Sequence, residues 1–252
     1  MTNPLRRERL ARLLSTLSLG QVMVAPKSRR RVEMRKLLYT QFGLPLLADK
    51  PMWFLSDRFW EAAGAPGDFS FSPAFLDALA TKPAEAMFDF LTSDDEGSRK
   101  VSVEWYEKQS RDVLSRIQER RDRLARETMK MRRKAASVLA FCDTQDDLLD
   151  EAAAIGLNKE DLMGQGDAFM RSFIRKVPCS HISVELGLKL EGEETELSPH
   201  DFHDINFMSA ALPYADFVVT EKQFANRALQ AGLTREYPAK VLSSLSSLAD
   251  RL

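Results

Sequence analysis

Chemistry that uses a hard divalent cation starts from carboxylates held close together, and the stretch Ser198 to Arg227 offers two. Asp204 stands among Ile205, Met208 and Ala211, so a helix carrying it sets a carboxylate on a partly apolar face. Unpaired and buried, such a group is costly or takes up a proton. Glu221 follows Ala215-Asp216-Phe217-Val218-Val219-Thr220, a run with the pattern of a strand buried on both faces of a parallel sheet. In open α/β sheets the carboxyl ends of strands open onto a crevice where ligands gather. Acids there suit Mg²⁺ or Mn²⁺, which prefer carboxylate oxygen and keep waters that can attack a phosphodiester.

The elements that must position these acids can be read from their neighbours. Ser198, Pro199 and Asp201 form a helix start, with a hydroxyl cap, a proline at the first helical position and an acid in the first turn. Asp201 is therefore read as a cap. The helix runs through Phe202, Ile205, Met208 and Leu212 and stops near Pro213. Asp216, at the start of the strand, is read as holding the strand or helix end, and Thr220 sits just before Glu221. A helix with Phe224, Ala228 and Leu229 ends at Gly232, then REYPAKVL supplies a last strand and SLSSLADRL a closing helix.

This order, in DINFMSAALPYADFVVTEKQF, resembles the end of the PIN nuclease family: an Asp, a small apolar helix face, a strand, then Thr, an acid and an aromatic residue. The resemblance implies an α/β fold with a small parallel sheet flanked by helices. It further implies metal-dependent hydrolysis of RNA, with Asp204 and Glu221 among the acids that hold Mg²⁺ or Mn²⁺. The family usually has Asp where Glu221 stands. His203 would hydrogen-bond a metal-binding acid.

The amino-terminal region is similar to the early part of the same family. Leucines at 10, 13, 14 and 17 mark an amphipathic helix from Pro4 to Leu19, ended by Gly20; Val22 to Ala25 is a short strand; Ser28 caps a helix reaching about Phe42. The resemblance makes Glu33, on that helix, a third metal-site acid. On the residues alone an ion pair with Arg29, four positions earlier, explains it equally. The family opens with a strand ending in Asp, whereas here the helix comes first; Met52 to Asp57 is the internal candidate for that strand.

Residues 45–196 read as a largely helical insertion between core segments 1–44 and 197–252, so the expected fold is helix-dominated overall. Nothing between about 101 and 141 is Gly or Pro, and Val103, Tyr106, Val113, Ile117, Leu124, Met131 and Val138 form a narrow seam. One helix of about 60 Å is expected there. A further helix should be capped by Asp143 or Thr144. The long helix is rich in arginine and lysine, and Arg120, Arg123, Lys130 and Arg133 are candidates for following a phosphate backbone. The alternative is a solvated face balanced by acids such as Glu119, or by an antiparallel return helix carrying Asp143, Asp146, Asp147 and Asp150.

Composition bounds the rest. With 252 residues, 44% apolar, the chain can bury a sizeable core, and 36 basic against 37 acidic residues exclude a general attraction to nucleic acid. Cys142 and Cys179 have no metal-ligand spacing and fit a reducing compartment, and no apolar run spans a bilayer, so a cytoplasmic location away from membranes is expected. Partners would be single-stranded or structured RNA and a protein partner or inhibitor, the oligomeric state staying open. Two rival readings remain. One is a catalytically inactive PIN-like core that binds a protein or nucleic acid through its helical arm. The other is an HD-type phosphohydrolase, from the order His181, His203-Asp204, Asp216.

Overall fold

A computed structural model describes residues 4–45, 54–58, 77, 79–93 and 96–251. Its elements begin with α1 (Pro4–Ser18), β1 (Val22–Met23), α2 (Pro26–Gln41), β2 (Leu55–Ser56), α3 (Pro83–Thr92) and α4 (Glu96–Arg123). They continue with α5 (Met129–Ala153), α6 (Lys159–Gly164), α7 (Gly166–Lys176) and α8 (Pro178–Glu191). The carboxyl-terminal part comprises α9 (Pro199–Ala211), β3 (Phe217–Val219), α10 (Lys222–Gln230), α11 (Leu233–Glu236), β4 (Lys240–Leu242) and α12 (Leu245–Ala249). The chain divides into two compact units: Met1–Ser28 with Ala48–Glu104, and Arg29–Leu47 with Trp105–Leu252.

In the first unit α1 lies along α3. Its buried face is not the leucine face expected from the sequence but the small one, Ala11 and Ser15, while Leu13 and Leu17 are 53% and 74% exposed. Close approach explains this choice: a Cβ on Gly20, whose φ is +77°, would lie 2.4 Å from the Pro83 carbonyl carbon. The strand candidate at 52–57 appears, within the described residues, as β2, antiparallel to β1 with Val22 opposite Ser56. It does not join the carboxyl-terminal strands, so it does not stand in for the family's first strand. Asp57 is exposed.

The second unit is built around α8, on which Ile182, Leu186 and Leu190 are at most 1% exposed. Helices α5, α7 and α9 pack on it. Met34 and Leu38 of α2 join Leu148 and Ala152 of α5 and Phe169 and Phe173 of α7 in one core. Each of the larger side chains contributes about 1.5–3 kcal/mol by leaving water.

β3 pairs in parallel with β4, Val218 opposite Val241, and the Thr220 N–H donates to the Leu242 carbonyl at 3.0 Å. The described residues thus hold two separate two-stranded sheets, one antiparallel and one parallel, in a helix-dominated α/β chain.

Two expectations about the middle of the chain are corrected. The single helix over 101–141 is two helices, α4 and α5, with a turn at 124–128. Thr128 is extended and its hydroxyl accepts the Met131 N–H at 3.3 Å, so the cap lies there rather than at Asp143 or Thr144. Inside α5 the Thr144 hydroxyl instead donates to the Ala140 carbonyl at 2.9 Å. Packing does not carry the seam past the turn: Met131 and Val138 are 47% and 54% exposed, while Ser110, Leu114 and Ile117 form the buried stripe on α4. Residues 105–196 lie in the same compact unit as 197–252, where α9 packs on α8.

Candidate functional site

Two acids reach one cleft because a cap and a strand end place them there. The Asp201 carboxylate accepts from the Ser198 N–H at 2.8 Å and from its hydroxyl at 3.1 Å, fixing the first turn of α9. Asp204 follows on the same helix, partly buried. Glu221 leaves the carboxyl end of β3 and occupies the cap position of α10, where its carbonyl accepts the Ala225 N–H at 2.9 Å. Both line a cleft of about 360 Å³ together with Glu196, His200, Asp201, Phe224 and Arg227.

Arg227, 3% exposed, ties the cleft's framework together. Its guanidinium donates to both Glu193 oxygens, to Asp201 at 3.0 Å, and lies 4.5 Å from the Phe224 ring centroid. These bonds hold the Glu193 carboxyl below the usual glutamate range. The reading from sequence does not single out Arg227; the signal for it was an arginine at i+3 from Phe224 on the apolar face of a helix.

Asp204 stands in the opposite situation. Among the described residues neither its carboxylate nor that of Glu221 has a hydrogen-bond or ion-pair partner. Burial first, then the negative charges of Glu221 and Asp201, push the Asp204 carboxyl above its ordinary range, against the opposing effects of His200 and Arg227.

Glu33 lies elsewhere. It is 4% exposed and does not line the cleft. It accepts the Tyr214 hydroxyl at 2.6 Å and the Cys179 N–H at 2.8 Å. Arg29 is fully buried beside it, its guanidinium 5.1 Å from the Tyr214 ring centroid. Burial raises the Glu33 carboxyl, and the bonds from Tyr214 and Cys179 and the charge of Arg29 oppose that rise. Its surroundings also push the Cys179 thiol and the Tyr214 hydroxyl upward. An exposed ion pair with Arg29 is thus replaced by a buried network joining α2 to α8.

The remaining candidates are spread out. Asp216 is exposed, and its carbonyl accepts the Lys240 N–H at 2.9 Å, closing the parallel pair. His203 is exposed and stacks on Tyr106, with centroids 4.6 Å apart. His181 is buried against the Tyr237 hydroxyl at 2.9 Å, and the HD order therefore does not assemble one group. Among the described residues no group of three or more His, Cys, Asp or Glu is arranged to hold a metal ion.

The basic strip is largely engaged internally. Arg133 grips Glu185 at 2.7 and 2.9 Å, Arg120 pairs with Glu191, and Arg116 reaches Asp143 at 2.8 Å. Most of the neutralising acids come from α8 rather than from the expected return helix, because Asp147 and Glu151 of α5 face Arg30, Arg31 and Arg35 of α2. Arg123 pairs with Glu119 at 3.7 Å, and Lys130 is exposed.

Compared with known proteins, the chain matches no family model, no curated protein and no solved structure. No described helix is long and apolar enough to cross a membrane.

Proposed function

We propose that this chain is a PIN-like phosphodiesterase that cleaves RNA with Mg²⁺ or Mn²⁺ held by Asp204 and Glu221. One observation carries the reading: two carboxylates from different elements line one cleft, neither bonded to a protein cation among the described residues, and burial, then the charges of Glu221 and Asp201, raises Asp204. The donor set fits Mg²⁺, which takes one or two carboxylates and keeps several waters. When bound, such a cation polarises a phosphoryl oxygen and makes a bound water more acidic.

The chain's own residues supply position. Asp201 locks the first turn of α9, and Arg227 ties that turn to α10, so the carriers of Asp204 and Glu221 stay together. Glu33 is left out of the ligand set, its oxygens being engaged by Tyr214 and Cys179. Purified protein should cleave single-stranded RNA only with Mg²⁺ or Mn²⁺, and Asp204→Asn and Glu221→Gln should each abolish cleavage and calorimetric Mn²⁺ binding. Mn²⁺ binding unchanged in both variants would overturn the assignment.

A second reading is favoured by the engagement of Glu33: a PIN-like core whose cleft lacks that acid and that binds a protein partner or nucleic acid without cleaving it. Retained RNA or partner binding with no metal-dependent cleavage would select it.

A further inference from the structure

Beside the carboxylate cleft, α9 turns a second kind of surface to solvent. At 100° per residue, His200 and Asp204 share one flank of the helix with His203 and Phe207, so the acid and the two rings lie on one continuous face. His203 is exposed and Phe207 is 36% exposed. The His203 ring stacks nearly parallel on Tyr106 of α4, 14° between planes, and Phe202 meets Tyr106 edge-on at 5.9 Å. The result is a two-ring stack of Tyr106 and exposed His203, flanked at its side by Phe202, whose ring centroid lies 5.9 Å from the first and 6.1 Å from the second. Tying α4 to α9 alone would be served by buried apolar contacts and requires no exposed imidazole on top.

We infer that the Tyr106–His203 stack, flanked by Phe207, is a subsite for an unpaired nucleobase of a single-stranded nucleic acid. The inference rests on the phosphodiesterase reading of the adjacent cleft. A base laid on the outer face of His203 continues the stack, and the strand then passes along the same helix face toward Asp204. Stacking tolerates any base, since every base has a π-face, so the subsite selects single strands over duplexes rather than a sequence. Duplex bases are already stacked and cannot reach the ring.

The test uses the full chain carrying Asp204→Asn, so that cleavage does not consume the probe, and a fluorescein-labelled single-stranded RNA of about ten nucleotides. Adding His203→Ala should weaken binding roughly five- to hundred-fold, the range for loss of one stacked base. His203→Phe should keep the parent affinity, and a duplex of the same sequence should compete poorly. Phe207→Ala, with an unchanged melting curve, is the second variant, and it should also weaken binding. Equal affinity of the His203→Ala and parent proteins, equal loss in His203→Ala and His203→Phe, or no binding of any single strand would each overturn the inference. Ring-dependent binding without metal-dependent cleavage in the chain with Asp204 intact would instead remove the phosphodiesterase reading and leave the subsite standing. Cleavage with His203→Ala affinity unchanged would do the reverse.

Discussion

Two sets of acids in the second unit face different fates. Glu33, Glu151, Glu185 and Glu191 are each 6% exposed or less, and each meets donors: Tyr214 and the Cys179 N–H, Arg31 and Arg35, Arg133, and Arg120. Asp204 and Glu221 are more accessible, meet no such donor among the described residues, and repel one another. The first set is tied into the fold by these hydrogen bonds and ion pairs, which oppose desolvation even where, as at Glu33, burial still raises the carboxyl. The second set is left over by the fold, at some expense to stability, and carboxylates arranged in that way suit a ligand. If this distinction is sound, substitutions in the two sets should change stability with opposite signs.

The largest effect is expected at Glu33→Ala. It leaves the Tyr214 hydroxyl and the Cys179 N–H without an acceptor and removes the opposite charge beside Arg29, which is fully buried. Breaking one side of a buried pair costs about 3–5 kcal/mol. Urea unfolding should register that loss. Wild-type stability would mean that Glu33 is not held by the network and would reopen its place among the site acids.

Arg227→Ala comes next, at about 2–4 kcal/mol, since Glu193 and Asp201 are both left without their guanidinium. Lysine should recover only part, because it cannot span three carboxylate oxygens as a planar fork does. The pH dependence has a definite sign. Glu193 is held below its ordinary value of 4.5, so its contribution to stability is present above that pH and lost as pH falls through the depressed value. Acid unfolding of Arg227→Ala should lack this component.

These two positions also show how far residue patterns reach. Ser198, Pro199 and Asp201 announce the start of α9, and the β-branched run announces β3, because caps and strand runs are local signals. The two cleft acids follow from that order, since a helix and a strand end with the right sequence separation fix where Asp204 and Glu221 emerge. Glu33 was not legible in the same way. Its partners, Tyr214 and Cys179, are remote in sequence, and no local pattern distinguishes an acid that faces Arg29 on a surface from one buried beside it. The turn at 124–128 was hidden for a related reason: it contains no Gly or Pro, and only the exposure of Met131 and Val138 shows that the seam is not packed beyond it. The outward leucines of α1 follow from Gly20 approaching Pro83, again a tertiary cause.

Asp204→Asn should move stability the other way, upward by about 0.5–2 kcal/mol in metal-free buffer, the usual size of a stabilising substitution. The sign follows from its raised carboxyl together with its lack, among the described residues, of a donor that the substitution would strand, which is what separates it from Glu33. An acid whose folded value lies above its unfolded one is disfavoured on ionising, so the parent loses stability as pH rises from the ordinary value of 3.8 through the folded value. Asparagine removes that decline. Adding Mn²⁺ should raise the melting temperature of the parent and not that of the variant, because only a ligand that binds the folded state stabilises it. A destabilised Asp204→Asn would place Asp204 with the acids the fold uses and erase the contrast between the two sets.

The smallest effect is expected at Arg123 on the basic strip, where the contrast repeats among cations. Arg120, with 20% of its side chain exposed, faces a Glu191 carboxylate that is 1% exposed, so Arg120→Ala strands a buried charge. Arg123, 78% exposed, faces a 62% exposed Glu119 at 3.7 Å, a pair that water and salt screen. Thermal melts should therefore separate the two variants clearly, with Arg123→Ala superimposed on the parent. RNA affinity makes the same separation in reverse. If Arg123 and Lys130 touch phosphate, removing either leaves stability untouched while making the logarithm of affinity fall less steeply with salt, by roughly one unit of slope per contact. An unchanged slope in both variants confines RNA contact to the cleft face of α9.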